Sequence, residues 1–267
     1  MAIKGMFPGR WSVAILSRQL GLPRLTRMRP LILLSVSLFA IAIGSEADAE
    51  NRVAAFGLSD ELGVFASEAK EAGKVLSTYY GGGSPPTVES NTPKHPRATP
   101  KRIISDLSKA SENMGPKDVL IVYLTSHGSP DGMSLAYGEN FLVLSPSDVR
   151  LFLLLSRAKK KVLIVSSCYS GRFIPLADHN TLVITASDAK NTSFGCTATA
   201  KLTLFGMALL QEIPESSSLS QAFAKAKQDI RIAEQELCKN DRGLCFHSNP
   251  QIAGGENVAG ALLTRRQ

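Results

Sequence analysis

Val119-Leu120-Ile121-Val122-Tyr123-Leu124-Thr125-Ser126-His127-Gly128 is an apolar run that ends in a reactive side chain and a glycine. A second stretch repeats the plan. Val162-Leu163-Ile164-Val165 leads through Ser166-Ser167 into Cys168-Tyr169-Ser170-Gly171. Runs rich in β-branched residues, without polar alternation, read as strands covered on both faces, the pattern of a parallel sheet under helices. Thr181-Leu182-Val183-Ile184-Thr185 reads as a third such strand.

Working outward, helical spacing fills the gaps between these runs. Val53-Ala54-Ala55-Phe56 is a short apolar run, followed by Phe65, Ala69, Ala72 and Leu76 on one helical face. Gly81-Gly82-Gly83 stops that helix, and Ser84-Pro85-Pro86 begins a turn or extended piece. Thr99-Pro100 is an N-cap with proline at the first helical position, and Ile103, Leu107 and Ala110 form the stripe behind it. Ser145-Pro146-Ser147-Asp148 starts a helix that runs to about Leu155. Another helix passes through Leu204 and Leu209. A last one opens on Ser218 and Gln221, the spacing of a capping box, and buries Leu219, Phe223, Ala226, Ile230, Ala233 and Leu237. Strands separated by helices predict an α/β fold, a three-layer α/β/α sandwich around a mostly parallel sheet.

The chain divides into three parts. Arg24, Arg27 and Arg29 precede an apolar run from Leu31 to Ile43, and small and polar residues then end in Ala47-Asp48-Ala49. A basic region, a short apolar region and an A-x-A site make residues 1–49 a secretory signal peptide, with Met28 as an alternative start. The apolar run spans roughly 20 Å as a helix, short of a ~30 Å bilayer core. The expected fate is export, to the periplasm or beyond, with a membrane tether only if the segment is not cleaved. Residues 50–253 form the folded domain, long enough for a sizeable core. Residues 254–267 are small and polar and predict a loose tail.

The net charge of +7 falls mostly in the signal segment, and no basic-aromatic interleaving is present, so nucleic acid is not an expected partner. Of the four cysteines, Cys238 and Cys245 are disulfide candidates in an oxidising compartment, because Asn240-Asp241-Arg242-Gly243 between them can reverse the chain. No C-x-x-C occurs, and the sequence calls for no metal and no organic cofactor.

The chemistry sits at two strand ends. Ligands of open α/β sheets bind outside the carboxyl ends of the strands, so His127 and Cys168 should share one sheet edge and approach closely enough to share a proton. A free thiol is only a few per cent thiolate at neutral pH. A neighbouring imidazole both raises that fraction and can protonate a leaving amine. Gly128, without a side chain, can offer its N–H beside that of Cys168 as an oxyanion hole. Asp131 reads as a solvated turn residue and Cys196 as a buried structural thiol. His95, His179 and His247 read as surface imidazoles, and Lys159-Lys160-Lys161 as a solvated lead-in to a strand.

These motifs resemble a known family. Ser126-His127-Gly128 and Ser166-Ser167-Cys168-Tyr169-Ser170-Gly171 are similar to the His-Gly and nucleophile motifs of legumain-type (asparaginyl endopeptidase) cysteine peptidases, most closely their exported bacterial branch. Ile184-Thr185-Ala186-Ser187 and Asn191-Thr192-Ser193-Phe194-Gly195-Cys196 resemble the strand and loop that follow the nucleophile there. The likeness covers roughly Ala54 to Gln251. It implies a caspase-like fold, with Cys168 as nucleophile, His127 as general base and acid, and Gly128 as an oxyanion donor. It also places Thr192 and Ser193 at the primary specificity pocket. Ser166 stands where the family has an acidic pocket residue, and Ala66-Ser67 where it has Arg-His, so preference for Asn or Asp is not implied.

The resulting expectation is a cysteine endopeptidase working on peptide or protein substrates through a thioester acyl-enzyme. Two alternatives use the same residues differently: a transpeptidase or transamidase with an amine acceptor, and a non-catalytic caspase-like binding module.

Overall fold

The computed structural model describes residues 49–240 and 245–262. The predicted signal segment up to residue 48, and most of the proposed turn between the last two cysteines, lie outside the described residues. No helix among the described residues is long and apolar enough to cross a membrane.

The central sheet is built from β1 (Arg52–Gly57), β2 (Thr87–Ser90), β3 (Val119–Thr125), β7 (Lys160–Ser166), β8 (Thr181–Thr185) and β9 (Gln251–Ala253), in the order β2-β1-β3-β7-β8-β9. All pairings are parallel except that of β8 with β9. Successive side chains of a strand point to opposite faces. Here both faces are apolar: Ile121, Tyr123, Val162 and Ile164 enter one core, and Leu120, Val122, Leu163 and Val165 enter the other. This double burial explains the absence of polar alternation in the quoted runs.

α1 (Gly63–Tyr80), α4 (Leu204–Glu212) and α5 (Leu219–Asn240) cover the first face through Ala69, Leu76, Phe205, Leu209, Phe223 and Ile230. α2 (Pro100–Ala110) and α3 (Pro146–Leu155) cover the second through Ile103, Leu107, Val149 and Phe152. The helix starts form as their sequences dictate. Thr99 caps α2, and Ser145 with Asp148 closes a reciprocal capping box on α3. At α5 the box is shifted: Ser218 Oγ accepts the N–H of Gln221, but the Gln221 side chain accepts from Ser217. The strand order reverses between β1 and β3, because β2 packs on one side of β1 and the chain crosses to the other side for β3. The crevice above such a switch point is where open α/β sheets place ligands.

Two parts of the fold depart from the sequence reading. Residues 128–144 make a small antiparallel sheet, β4 (Gly128–Ser129), β5 (Gly132–Tyr137) and β6 (Asn140–Leu144), that rises beyond the end of β3. The loose tail expected from Gly254 is corrected as far as Leu262. Val258 and Leu262 are buried in the first core, and the N–H groups of Gly255 and Asn257 donate to the carbonyls of Asp178 and His179. Gly254 and Gly255 both have left-handed φ, 69° and 79°, which lets the chain turn there after β9. The folded unit therefore extends past residue 253.

Candidate active site

Thr125 of β3 pairs with Ser166 of β7. His127 and Cys168 each lie two residues beyond that rung, so they leave neighbouring strands, spaced about 4.8 Å, at equal height. Gly128 seals the juxtaposition. A Cβ at that position would lie 2.0 Å from the Cys168 carbonyl oxygen and 3.0 Å from Ser167 Oγ, so only glycine lets the two strand ends close. Its amide is also free of the ladder. The Ser134 N–H donates to the His127 carbonyl at 2.9 Å. Antiparallel rungs alternate between bonded and non-bonded, so the next rung, Gly128 with Met133, is non-bonded and the Gly128 N–H points out of the hairpin.

The imidazole of His127 is held from the β1–α1 loop. Its Nε2 lies 3.3 Å from Glu61 Oε2, and the ring of Phe65, at the start of α1, meets it edge-on at a centroid distance of 4.8 Å. With Nε2 so engaged, Nδ1 is the nitrogen left for other work. Glu61 was missed in the sequence reading. An acidic residue in a polar loop carries no periodic signal, and only the switch-point crossing brings that loop over the end of β3.

The Cys168 thiol rests against the loop after β8. Its Sγ accepts the N–H of Ser193 at 3.3 Å and lies 3.7 Å from the Ser193 carbonyl. Burial pushes the thiol pKa up, and the Ser193 and Cys168 N–H groups only partly offset it. No hydrogen bond joins Cys168 to His127 among the described residues. The two lie at matching strand ends as expected, but the resting thiol faces Ser193 rather than the imidazole. The next residue, Tyr169, has a left-handed φ of 56° and donates its N–H to the Asn191 carbonyl at 2.9 Å. A non-glycine residue there stores about 1 kcal/mol or more of strain. The turn is held by reciprocal bonds: Ser170 N–H to Ser187 Oγ at 3.0 Å, and Ser187 N–H to Ser170 Oγ at 2.9 Å.

The loop bearing Thr192 and Ser193, both half-buried, is braced from the far end of the chain. The Asp188 carboxylate accepts the N–H groups of Lys190 and Asn191 and the side-chain amides of Asn191 and Asn249. Burial alone would raise its pKa, but these four donors together hold it below the usual carboxylate range. Asp188 N–H donates to the Ser248 carbonyl at 2.7 Å, and Phe194 stacks on Phe246 at 4.8 Å. Just before this bracing segment, Cys238 and Cys245 form a disulfide with Cα atoms 4.9 Å apart. His247, read as a surface imidazole, instead pairs its Nδ1 with the buried carboxylate of Glu234 at 3.0 Å.

Beneath the thiol lies a buried polar network. Ser166, which the family likeness puts at the specificity pocket, is 1% exposed, and its hydroxyl is held 3.1 Å from Thr203 Oγ1. It therefore shapes the floor rather than an open pocket wall. Thr203 caps α4, and its N–H donates to Glu68 Oε2 at 2.6 Å, while Tyr123 Oη donates to Glu68 Oε1 at 2.9 Å. Glu68 is wholly buried, and Gly206 has no side chain because a Cβ there would sit 2.4 Å from the Glu68 carboxyl. A carboxylate at a helix N-terminus is favourably placed. The sequence signal for Glu68 was present: position 68 falls on the buried stripe of α1, beside Phe65, Ala69 and Ala72. Burial first, and then the charges of Cys168 and Glu68, push the Cys196 thiol up to about 12, so it is inert at neutral pH. No group of three or more His, Cys, Asp or Glu side chains stands ready for a metal ion among the described residues.

This architecture is caspase-like. It is similar to the structure of caspase-1 from Spodoptera frugiperda, with a TM-score of 0.54 and 13% identity over 78% of this chain and 87% of that one. It is also similar to a structure of pro-sf-caspase-1, with a TM-score of 0.50 and 15% identity over 78% and 92% of the respective chains. Among curated proteins, none matches the sequence. The Peptidase C13 family model matches residues 101–242, just over half of the chain, a span that includes both strand-end motifs. The chain belongs to the Peptidase C13 family and is a cysteine peptidase, a hydrolase of peptide bonds.

Proposed function

We propose that the chain is an endopeptidase in which Cys168 and His127 form the catalytic dyad, working in an oxidising compartment outside the cytoplasm. The observation that carries this reading is the placement of the two side chains two residues beyond one shared rung, with Gly128 closed against the Cys168 carbonyl. The Cys238–Cys245 disulfide supports the compartment, since such bonds are rare in reducing cytosol.

The reaction follows from the geometry. The resting thiol is protonated, so reaction begins when Sγ turns from Ser193 toward His127 and gives up its proton to Nδ1. Sγ then attacks the carbonyl carbon of the scissile peptide bond. The oxygen gains the electron pair and is held by the N–H groups of Gly128 and Cys168. One such donor is worth about 3 kcal/mol in the transition state. Collapse of this intermediate breaks the C–N bond, and the imidazolium delivers its proton to the departing amine. A thioester on Cys168 remains. Water, deprotonated by His127, then cleaves it and releases the acid. Glu61, 3.3 Å from Nε2, keeps the imidazole oriented with Nδ1 toward the thiol. Thr192 and Ser193 flank the residue that precedes the scissile bond.

The test is turnover of a diverse peptide pool, with products sequenced, by the wild-type chain and by Cys168→Ala and His127→Ala. Each variant should lose turnover by at least about a thousandfold, the usual cost of removing a nucleophile or its base. Retained activity in either would reject the dyad.

A further inference from the structure

A cavity of about 570 Å³ opens beside the turn that follows Cys168, on the side of the sheet that carries α3. Pro130 and Asp131, at the β4–β5 turn just past His127, form one wall, and Gly171 and Arg172, just past Cys168, form another. Arg150 of α3 completes it. Both arginines are exposed to solvent. Arg150 uses one N–H, from Nη2, on the Pro175 carbonyl at 3.2 Å. The Arg172 side chain has no hydrogen-bond or ion-pair partner among the described residues. Asp131 is the single acidic side chain in the lining, so the cavity is net positive. Among the described residues neither guanidinium neutralises an internal carboxylate, and Arg150 makes only its one bond to the Pro175 carbonyl.

The position of the cavity gives that charge a use. Beside Ser193, the Phe194 carbonyl accepts the Leu204 N–H at the start of α4, which ties that end of the loop to the first face, while Ala189 at its other end lines the cavity. The cavity lies on the second face, against α3 and the short helix Ser170–Leu176 that follows the nucleophile. A peptide laid across Cys168 with its acyl half at Thr192 and Ser193, and running on past the nucleophile turn, brings its leaving half toward Arg172 and Arg150. We propose, resting on the endopeptidase reading above, that this cavity is the leaving-group subsite and selects a carboxylate within the first three residues after the scissile bond. The planar guanidinium matches a carboxylate with two parallel N–H···O bonds, which is why arginine, more than lysine, serves such recognition. A side-chain carboxylate of Asp or Glu and the free terminus of a short leaving peptide offer the same chemistry.

The experiment uses quenched fluorescent peptides that share one acyl half. Their leaving halves carry Asp, Glu, Asn or Gln at each of the first three positions, and a further pair ends in either a free carboxylate or an amide. The acid should exceed its amide isostere in kcat/KM by about tenfold at one position, the worth of one charge-assisted hydrogen bond. Added salt should shrink the ratio, because the arginines are exposed. Arg172→Glu should invert it in favour of Lys, a change that loss of folding does not produce. A response confined to the terminal carboxylate assigns the cavity to reading a chain end and supports the proposal. An acid-to-amide ratio within twofold at all positions, while neutral peptides are still cleaved in a Cys168-dependent way, overturns this inference and leaves the dyad standing. Absence of cleavage of every peptide overturns both.

Discussion

Replacing Gly128 with alanine isolates the contact on which the site depends. The new methyl carbon would start 2.0 Å from the Cys168 carbonyl oxygen and 2.9 Å from its carbonyl carbon. Carbon and carbonyl oxygen come no closer than roughly 3.3 Å, so β4 and the nucleophile turn must separate by about 1.3 Å. The Cys168 side cannot yield easily, because Tyr169 and Ser170 are hydrogen-bonded to Asn191 and Ser187, and Gly171 packs too close to Ala189 to admit even a Cβ. The movement therefore falls on the two-residue strand β4 and carries His127 and the Gly128 N–H with it. A shift of about 1 Å at a reacting centre costs on the order of a hundredfold, and loss of an oxyanion donor costs a hundred- to a thousandfold. Gly128→Ala should lower kcat by at least about a hundredfold with little change in KM. Overpacking costs about 1–3 kcal/mol. In a domain of this size that is a fall in Tm of roughly 2–10 °C, so the protein stays folded. Peptide turnover, thermal melting and alkylation of Cys168 on one preparation check the three parts. A folded, alkylatable variant that turns over within threefold of wild type would refute the placement of Gly128 and with it the oxyanion assignment.

Three further outcomes follow from the same geometry. Glu68→Ala leaves the Thr203 N–H and the Tyr123 hydroxyl without their buried acceptor; a loss of about 2–5 kcal/mol is expected, read as a drop in Tm of roughly 5–15 °C, and an unchanged melt would contradict the burial of that network. Cys238→Ser opens a short loop and should cost about 2.5 kcal/mol by loop-closure entropy, with weaker turnover as the segment that braces Asp188 and Phe194 loosens; identical melting curves with and without reductant would count against the bond. The pH dependence of thiol labelling follows from the raised Cys168 pKa. Because burial disfavours the thiolate, iodoacetamide labelling of the free enzyme should keep rising with pH beyond the ordinary thiol range near about 8.5, and a plateau at or below neutral pH would show instead a resting thiolate paired with His127.

Much of this molecule was legible in its sequence. The runs 119–125, 162–166 and 181–185 became β3, β7 and β8 because strands buried on both faces tolerate no polar alternation, and that constraint is local. The helix starts at Thr99 and Ser145 were equally readable, since a cap is a contact between residues three apart. So were the two reactive strand ends, because parallel strands put their carboxyl ends at one edge. Ser166 was put at the pocket by the family likeness alone, and strand position does not tell that its hydroxyl meets Thr203, 37 residues away.

Glu61 meeting His127, Glu68 capping α4 from across the core, and Asn249 steadying the loop of Ser193 join segments 66, 135 and 61 residues apart respectively (the last counted from Asn249 to Asp188). No periodicity or motif encodes such meetings. They exist only once the strand order reverses between β1 and β3 and the chain end folds back as β9. The sequence by itself determined that Cys168 and His127 end neighbouring buried strands and share an edge, because those are properties of neighbours along a strand. The tertiary structure alone decided which nitrogen of His127 is left free, where the thiol rests, and that two unneutralised arginines stand on the far side of it. Each of those depends on the crossing of elements distant in the chain.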